Sequence, residues 1–174
     1  GFVTGMLAGP AAHGIDLNAA LARAGIDDGT LSDPAARIPL KNYAVLYNAL
    51  VHQLEDEGFM LFSAPLRPGT FEFLCRSMLF SQNLAEALDR GSRFIRLVLP
   101  DLEVKVARNK DVAEIIIAET RPLCVTRDDP RRVFAYEWLL RLLHGLACWL
   151  AGRELALVSV RFPYPRPAHF TDYA

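Results

Sequence analysis

From Phe134 to Leu150 the chain is apolar on nearly every side of any helix it forms. Only Glu137, Arg141 and His144 interrupt it, and at about 100° per residue they fall on one narrow stripe. A helix that is greasy on most of its circumference belongs inside a domain, with one thin polar strip toward water or a cavity. The rest of the chain must supply its walls. No catalytic motif accompanies the segment, so it points to a packed binding or interaction domain more readily than to an enzyme.

The chain has 174 residues, which suits one domain over 1–174, and with 52% hydrophobic and 22% charged residues it can bury a core without staples. A net charge of -1 argues against this segment gripping a phosphate backbone. The cysteines Cys75, Cys124 and Cys148 are widely spaced without CxxC, and the expectation is buried free thiols in a reducing compartment. No basic run precedes an apolar one as in a secretory leader, and the charged stripe interrupts the best candidate for a membrane span. The expected setting is the cytoplasm, without a membrane.

Short helical patterns occupy residues 2–12 and 15–24, with Asp16 a candidate cap for the second, and a loop follows from Gly25 to Pro39. Leu40 to about Glu55 reads as a helix with Tyr43, Leu46, Tyr47 and Leu50 on its apolar face. Phe59 to Phe62 is an apolar run of either type. Thr70 is a good N-cap for a helix through Phe80, and Asn83 with Glu86 resembles a capping box for another to about Leu99, burying Leu84, Leu88, Ile95 and Val98. The period then changes. Leu102, Val104 and Val106 alternate with charges, Asn109-Lys110-Asp111 is a turn, and Val112 to Ala118 is β-branched, so a hairpin is predicted. The long helix spans about Arg132–Ala151 and ends at Gly152; Leu155 to Phe162 alternates again as a third strand until Pro163, Pro165 and Pro167. The fold class is α+β: a helical N-terminal half and a small antiparallel sheet packed against the long C-terminal helix.

Chemistry-bearing groups are sparse. The histidines His13, His52, His144 and His169 have no metal-ligand spacing, and neither a metal nor a cofactor is expected. Phosphate loops and nucleophile elbows are missing from the sequence, and the GxxxG spacing of Gly5 and Gly9 is a weak pattern outside a membrane. Glu55-Asp56-Glu57 and the hairpin carboxylates Asp101, Glu103, Asp111, Glu114 and Glu119 read as solvated charge. Arg76, and Arg90, Arg93 and Arg96 on the next helix, form either an exposed face paired with acids such as Glu86 and Asp89, or an inward guanidinium for an effector carboxylate or phosphate. For the Glu137, Arg141 and His144 stripe, structure and pocket lining both remain open, with Glu137 and Arg141 at the spacing of an intrahelical salt bridge. The candidate effector-binding residues are Arg76, Arg93, Glu137, Arg141 and His144.

Several separated segments resemble one family. Arg67-Pro68-Gly69-Thr70-Phe71, Leu74-Cys75-Arg76, Leu84-Ala85-Glu86-Ala87-Leu88 and Arg93-Phe94 are similar to the N-terminal effector domain of AraC-type transcriptional regulators, in the branch with an arabinose-binding-like sensor. Arg37-Ile38-Pro39, Glu137 to Arg153 and the run Phe162 to His169 fit the same pattern in the same order. The resemblance implies a small-molecule sensor that forms a homodimer and reaches DNA only through a C-terminal helix-turn-helix domain, which is absent here; the expectation is truncation before that domain and before a last strand of the sensor. It does not imply arabinose. The few amides and the arginines fit an acidic or amphipathic effector better. The alternatives are a dimerisation or interaction module without a ligand, and an enzyme using Glu137 and His144 as acid and base.

Overall fold

The computed structural model describes residues 2–33, 35–109, 112–123, 126 and 128–166. Lys110, Asp111, Cys124, Pro167 and His169, all named above, lie outside them. The elements in chain order are α1 (Phe2–Ala12), α2 (Asn18–Ala24), α3 (Asp28–Ser32), α4 (Leu40–Leu54), α5 (Thr70–Leu79), α6 (Leu84–Val98), β1 (Leu102–Asn109), β2 (Val112–Glu119) and α7 (Pro130–Ala151). No helix among the described residues is long and apolar enough to cross a membrane.

Local chemistry sets most of the boundaries. Asn83 Oδ1 accepts the Glu86 N–H at 3.0 Å, and Glu86 Oε2 accepts the Gln82 N–H at 3.0 Å, which is the capping box displaced by one residue. Asp129 caps α7, Pro130 fills its first position, and Gly152 at φ 63° closes it. Two expected caps moved. Gly69, at φ 96°, precedes α5, and Thr70 is its first residue, with its hydroxyl donating to the Arg67 carbonyl at 2.6 Å. Asp16 accepts the Asn18 N–H at 2.9 Å, so the second helix starts at Asn18 rather than Ile15. The loop from Gly25 to Pro39 holds the short α3, capped by Asp27.

Helix α7 is the axis of the core. Phe134, Ala135, Trp138, Leu139 and Leu143 are buried, and α1 packs along one side of it. Ring contacts tie the centre together: Phe59 lies 5.3 Å from Tyr47, 6.5 Å from Phe134 and 6.4 Å from Trp138, centroid to centroid. Helices α5 and α6 pair with each other, and α6 carries the hairpin on its other side. The hairpin runs antiparallel from Leu102↔Glu119 to Asn109↔Val112, with Leu102 and Val104 buried. It meets the start of α7 through Glu119 and Arg132.

Three sequence expectations fail for identifiable reasons. Asp56, Glu57 and Asp101 are buried, not solvated. Asp56 accepts the N–H groups of Gly58 (2.8 Å), Met60 (2.8 Å) and Leu66 (2.7 Å), so its charge organises the turn after α4. Asp101 accepts from the Ser63 N–H at 2.7 Å and the Ser63 hydroxyl at 2.6 Å, fastening that same turn to the base of β1. The third strand does not form: Leu155 to Phe162 has extended residues but no place in the two-stranded sheet. The polar groups of α7 hold that segment instead. His144 Nε2–H donates to the Leu155 carbonyl at 2.8 Å, Arg132 donates to the Pro163 carbonyl at 3.3 Å, and the Tyr164 hydroxyl lies 3.4 Å from Glu137 Oε1. The thiols of Cys75 and Cys148 are free but only half-buried.

Candidate functional site

A cleft opens where four helices converge. Tyr47 comes from α4 and Glu57 from the turn behind it; Thr70, Phe71 and Leu74 come from the start of α5. Phe94, Ile95 and Val98 on α6 form the opposite wall, and Trp138, Leu139 and Leu142 of α7 close the back. These positions follow from the helical period: Phe71 and Leu74, like Ile95 and Val98 or Trp138 and Leu142, are three or four residues apart and so share a face. The enclosed interior is about 30 Å³. That is room for about one water molecule and is less than any organic effector needs.

Among the described residues Glu57 is the only carboxylate in this lining, and no Lys, Arg or His joins it. Its Oε1 accepts the Gly69 N–H and its Oε2 the Phe71 N–H, each at 2.7 Å. The first turn of α5 thus gets its missing acceptor from a residue 12 positions back in the chain. Burial, with added repulsion from Glu57 and Tyr43, pushes the Tyr47 phenol up to about 12. The cleft is therefore apolar and aromatic, with one negative pole.

A second depression of about 310 Å³ lies where the α5–α6 junction meets the end of α7, lined by Met78, Ser81, Gln82, Asn83, Leu84 and Trp149 among others. It is open and polar. The buried Ser81 hydroxyl there has no hydrogen-bond partner among the described residues.

The sequence candidates occupy other places. Arg76 is exposed and paired with Glu72 at 2.7 Å. Arg93 is exposed and paired with Asp89, which raises the guanidinium and lowers the carboxyl through their hydrogen bond. Arg90 pairs with Glu86 at 2.7 Å, so this basic face is matched by acids one turn earlier. Glu137 is buried beneath Tyr164. Arg141 is exposed, with its guanidinium 5.1 Å from the centre of the Phe2 ring. His144 is half-buried, between the Leu155 carbonyl and Cys148 Sγ at 3.6 Å. The structure brings Glu137 and His144 together under residues 155–166, and none of the five candidates lines either cleft. The cleft residues that sequence reasoning missed are Glu57, Phe71, Phe94 and Trp138. Phe71 and Phe94 lie inside the segments that carried the family resemblance. Glu57 had no local signal, because its partners sit beyond a Pro- and Gly-rich loop.

Comparison with known proteins gives two matches. The family described as the arabinose-binding domain of AraC transcription regulators, N-terminal, matches residues 14–174. The ornithine utilization regulator of Pseudomonas aeruginosa is 28% identical over 165 residues, covering 94% of this chain and 47% of that protein. The chain thus spans about half the length of that relative. No solved structure matches the chain.

Proposed function

The chain belongs to the family of N-terminal arabinose-binding domains of AraC transcription regulators, and we propose that it senses a small amphipathic effector in the cleft between α4, α5, α6 and α7. The observation that carries this reading is the cleft itself: aromatic walls from four separate helices around one buried polar group, the usual make-up of a small-molecule site. In this reading the domain is a regulator of DNA binding in the cytoplasm, not an enzyme. Occupancy of the cleft is passed to a helix-turn-helix domain that lies outside this chain. The length of the relative, about twice this chain, supports such a second part.

Helix α7 is the natural carrier of the signal. One of its faces closes the cleft through Trp138, Leu139 and Leu142. Its polar groups hold residues 155–166 through Arg132, Glu137 and His144. A ligand that shifts α7 therefore shifts the segment docked on it. Arg76 and Arg93, paired with Glu72 and Asp89, and Arg141 beside the Phe2 ring lie at the surface, outside the cleft. The acidic effector expected from composition would have to be met there, since the cleft offers it no cation.

The test is a thermal-shift screen of the 174-residue chain against amines, organic acids, sugars and neutral aromatics, repeated with Val98→Trp, which fills the cleft wall. A ligand that binds only the native state at about 100 times its dissociation constant stabilises by about 2.7 kcal/mol. Stabilisation lost in Val98→Trp supports the reading; ligands that stabilise both proteins equally, or no ligand at all, overturn it.

A second reading, self-association as a homodimer, rests on a different observation. Phe80, Leu97 and Val158 are each more than 80% exposed, apolar surface that a second copy would cover. Sedimentation that shows only monomer at high micromolar concentration rejects it.

A further inference from the structure

Glu57 is a buried carboxylate without a cation. One backbone N–H to each oxygen caps the first turn of α5 and leaves each oxygen with an unused lone pair. Among the described residues it makes no ion pair, and the cleft that it borders contains no Lys, Arg or His. Other buried charges among the described residues border neither cleft. Arg132 pairs with Glu119 at 2.5 Å, Asp56 accepts three backbone donors, and Asp101, with one donor to each oxygen, spends both on Ser63. Glu57 alone combines burial, spare acceptor capacity and a cleft.

The walls around it are Tyr47, Phe71, Phe94 and Trp138. Aromatic rings attract cations through their negative faces, and a carboxylate adds a charge-assisted hydrogen bond to any ammonium donor. An anion in the same place meets the Glu57 charge in a low-dielectric wall and finds no compensating group. A neutral molecule gains from the walls only. We infer that the cleft is the site of an organic cation, a primary amine carried on an apolar or aromatic body, with its ammonium at Glu57 and its body among Phe71, Phe94 and Trp138. This inference rests on the sensor reading above and fixes the charge class of its effector.

The free cleft is too small for such a molecule, so binding requires the mouth to open. Phe71, 40% exposed, is the one exposed residue of the described wall, and Val98 is half-buried at the end of α6. Trp138, 9% exposed and pinned against Phe59 and Phe62, stays as the fixed back wall.

Three probes of one shape separate the charge classes: phenethylamine, 2-phenylethanol and 3-phenylpropionate, titrated calorimetrically into the 174-residue chain and into Val98→Trp. The amine is expected to bind at least about tenfold more tightly than the alcohol, with the acid weakest, and Val98→Trp is expected to abolish its binding. In Glu57→Gln the advantage of amine over alcohol is expected to fall to about onefold. Should Glu57→Gln fail to fold for want of its cap, the wild-type ranking decides alone. Equal or tighter binding of the alcohol or the acid overturns the charge assignment while leaving a sensor cleft intact. Amine binding that persists in Val98→Trp places the cation elsewhere and also overturns it. No binding by any probe, together with an empty thermal-shift screen, rejects both this inference and the sensor reading.

Discussion

Arg132 Nε lies 2.5 Å from Glu119 Oε1, an ion pair that ties the first turn of α7 to the last residue of β2. The side chains are 8% and 22% exposed, so this is not a solvent-screened surface pair. The guanidinium also lies 5.1 Å from the centre of the Tyr136 ring and reaches the Pro163 carbonyl. Hairpin, long helix and C-terminal segment meet at this one residue. Arg132→Met is expected to destabilise the fold by about 2–4 kcal/mol, because it strands a largely buried carboxylate. Adding Glu119→Leu is expected to restore most of that loss. Urea denaturation of the two variants checks it; a double variant no better than the single rejects this account.

The Gly5 and Gly9 pair does its work as close packing. A Cβ at Gly9 would lie 2.1 Å from the Phe59 carbonyl oxygen, and one at Gly5 would lie 2.6 Å from the Phe134 ring. Helix α1 can approach the core only because both side chains are missing. Gly9→Ala is expected to cost about 2–4 kcal/mol, and more than Gly5→Ala, since its added methyl meets a backbone carbonyl at the shorter distance. Thermal unfolding of the two variants in parallel tests the order.

Asp56 holds a turn that contains two unfavourable backbone conformations, Phe59 at φ 53° and Met60 at φ 56°. Three N–H groups converge on its carboxylate to keep them there. Asp56→Ala is expected to destabilise by about 3–5 kcal/mol, as buried donors lose a charged acceptor. Asp56→Asn, which keeps one acceptor oxygen, is expected to lose roughly half as much. Because Phe59 sits between Tyr47 and Trp138, loss of near-ultraviolet circular dichroism is expected to accompany unfolding in both.

These turns explain what the sequence could and could not disclose. Helices and hairpin were legible because their signals are local: Asn83 with Glu86, Gly152 at the end of α7, and the alternation from Leu102 to Val106. The α7 stripe was legible as a stripe, but not what it meets. Two of its partners, Leu155 for His144 and Tyr164 for Glu137, lie 11 and 27 residues away. The alternation of Leu155 to Phe162 predicted a strand because pattern reports side-chain period, whereas a ladder needs a strand to pair with, and this segment is held by side chains of α7 instead. Buried acids misled for the same reason. Asp56, Glu57 and Asp101 read as surface charge until the backbone donors that fold onto them are known. The cleft depends on Glu57, so its charge was invisible to a reading that looked for arginines.

The Tyr47 phenol gives a pH signature of the cleft. Burial comes first among the causes that raise it from 10.0 to about 12, followed by the negative charge of Glu57. A raised phenol pKa means that the folded state favours the neutral form, so its contribution is fully present below pH 10. It is lost as pH climbs from 10, where the unfolded tyrosine ionises, through about 12, where the folded one does. Two pKa units correspond to about 2.7 kcal/mol, and partial access of solvent to this half-buried ring reduces the expected loss to about 1–2 kcal/mol. Tyr47→Phe cannot ionise, and among the described residues the Tyr47 hydroxyl makes no hydrogen bond that the substitution would remove. The variant is expected to match the wild type at pH 8 and to exceed it by about half that amount at pH 11, midway between the two pKa values. Tyr43 and Tyr136, also raised by burial, are present in both proteins, and Tyr43 is the smallest of the three causes that raise Tyr47. Urea midpoints at the two pH values decide it: parallel losses in wild type and Tyr47→Phe mean that the cleft leaves Tyr47 open to water and that Glu57 does not act on it.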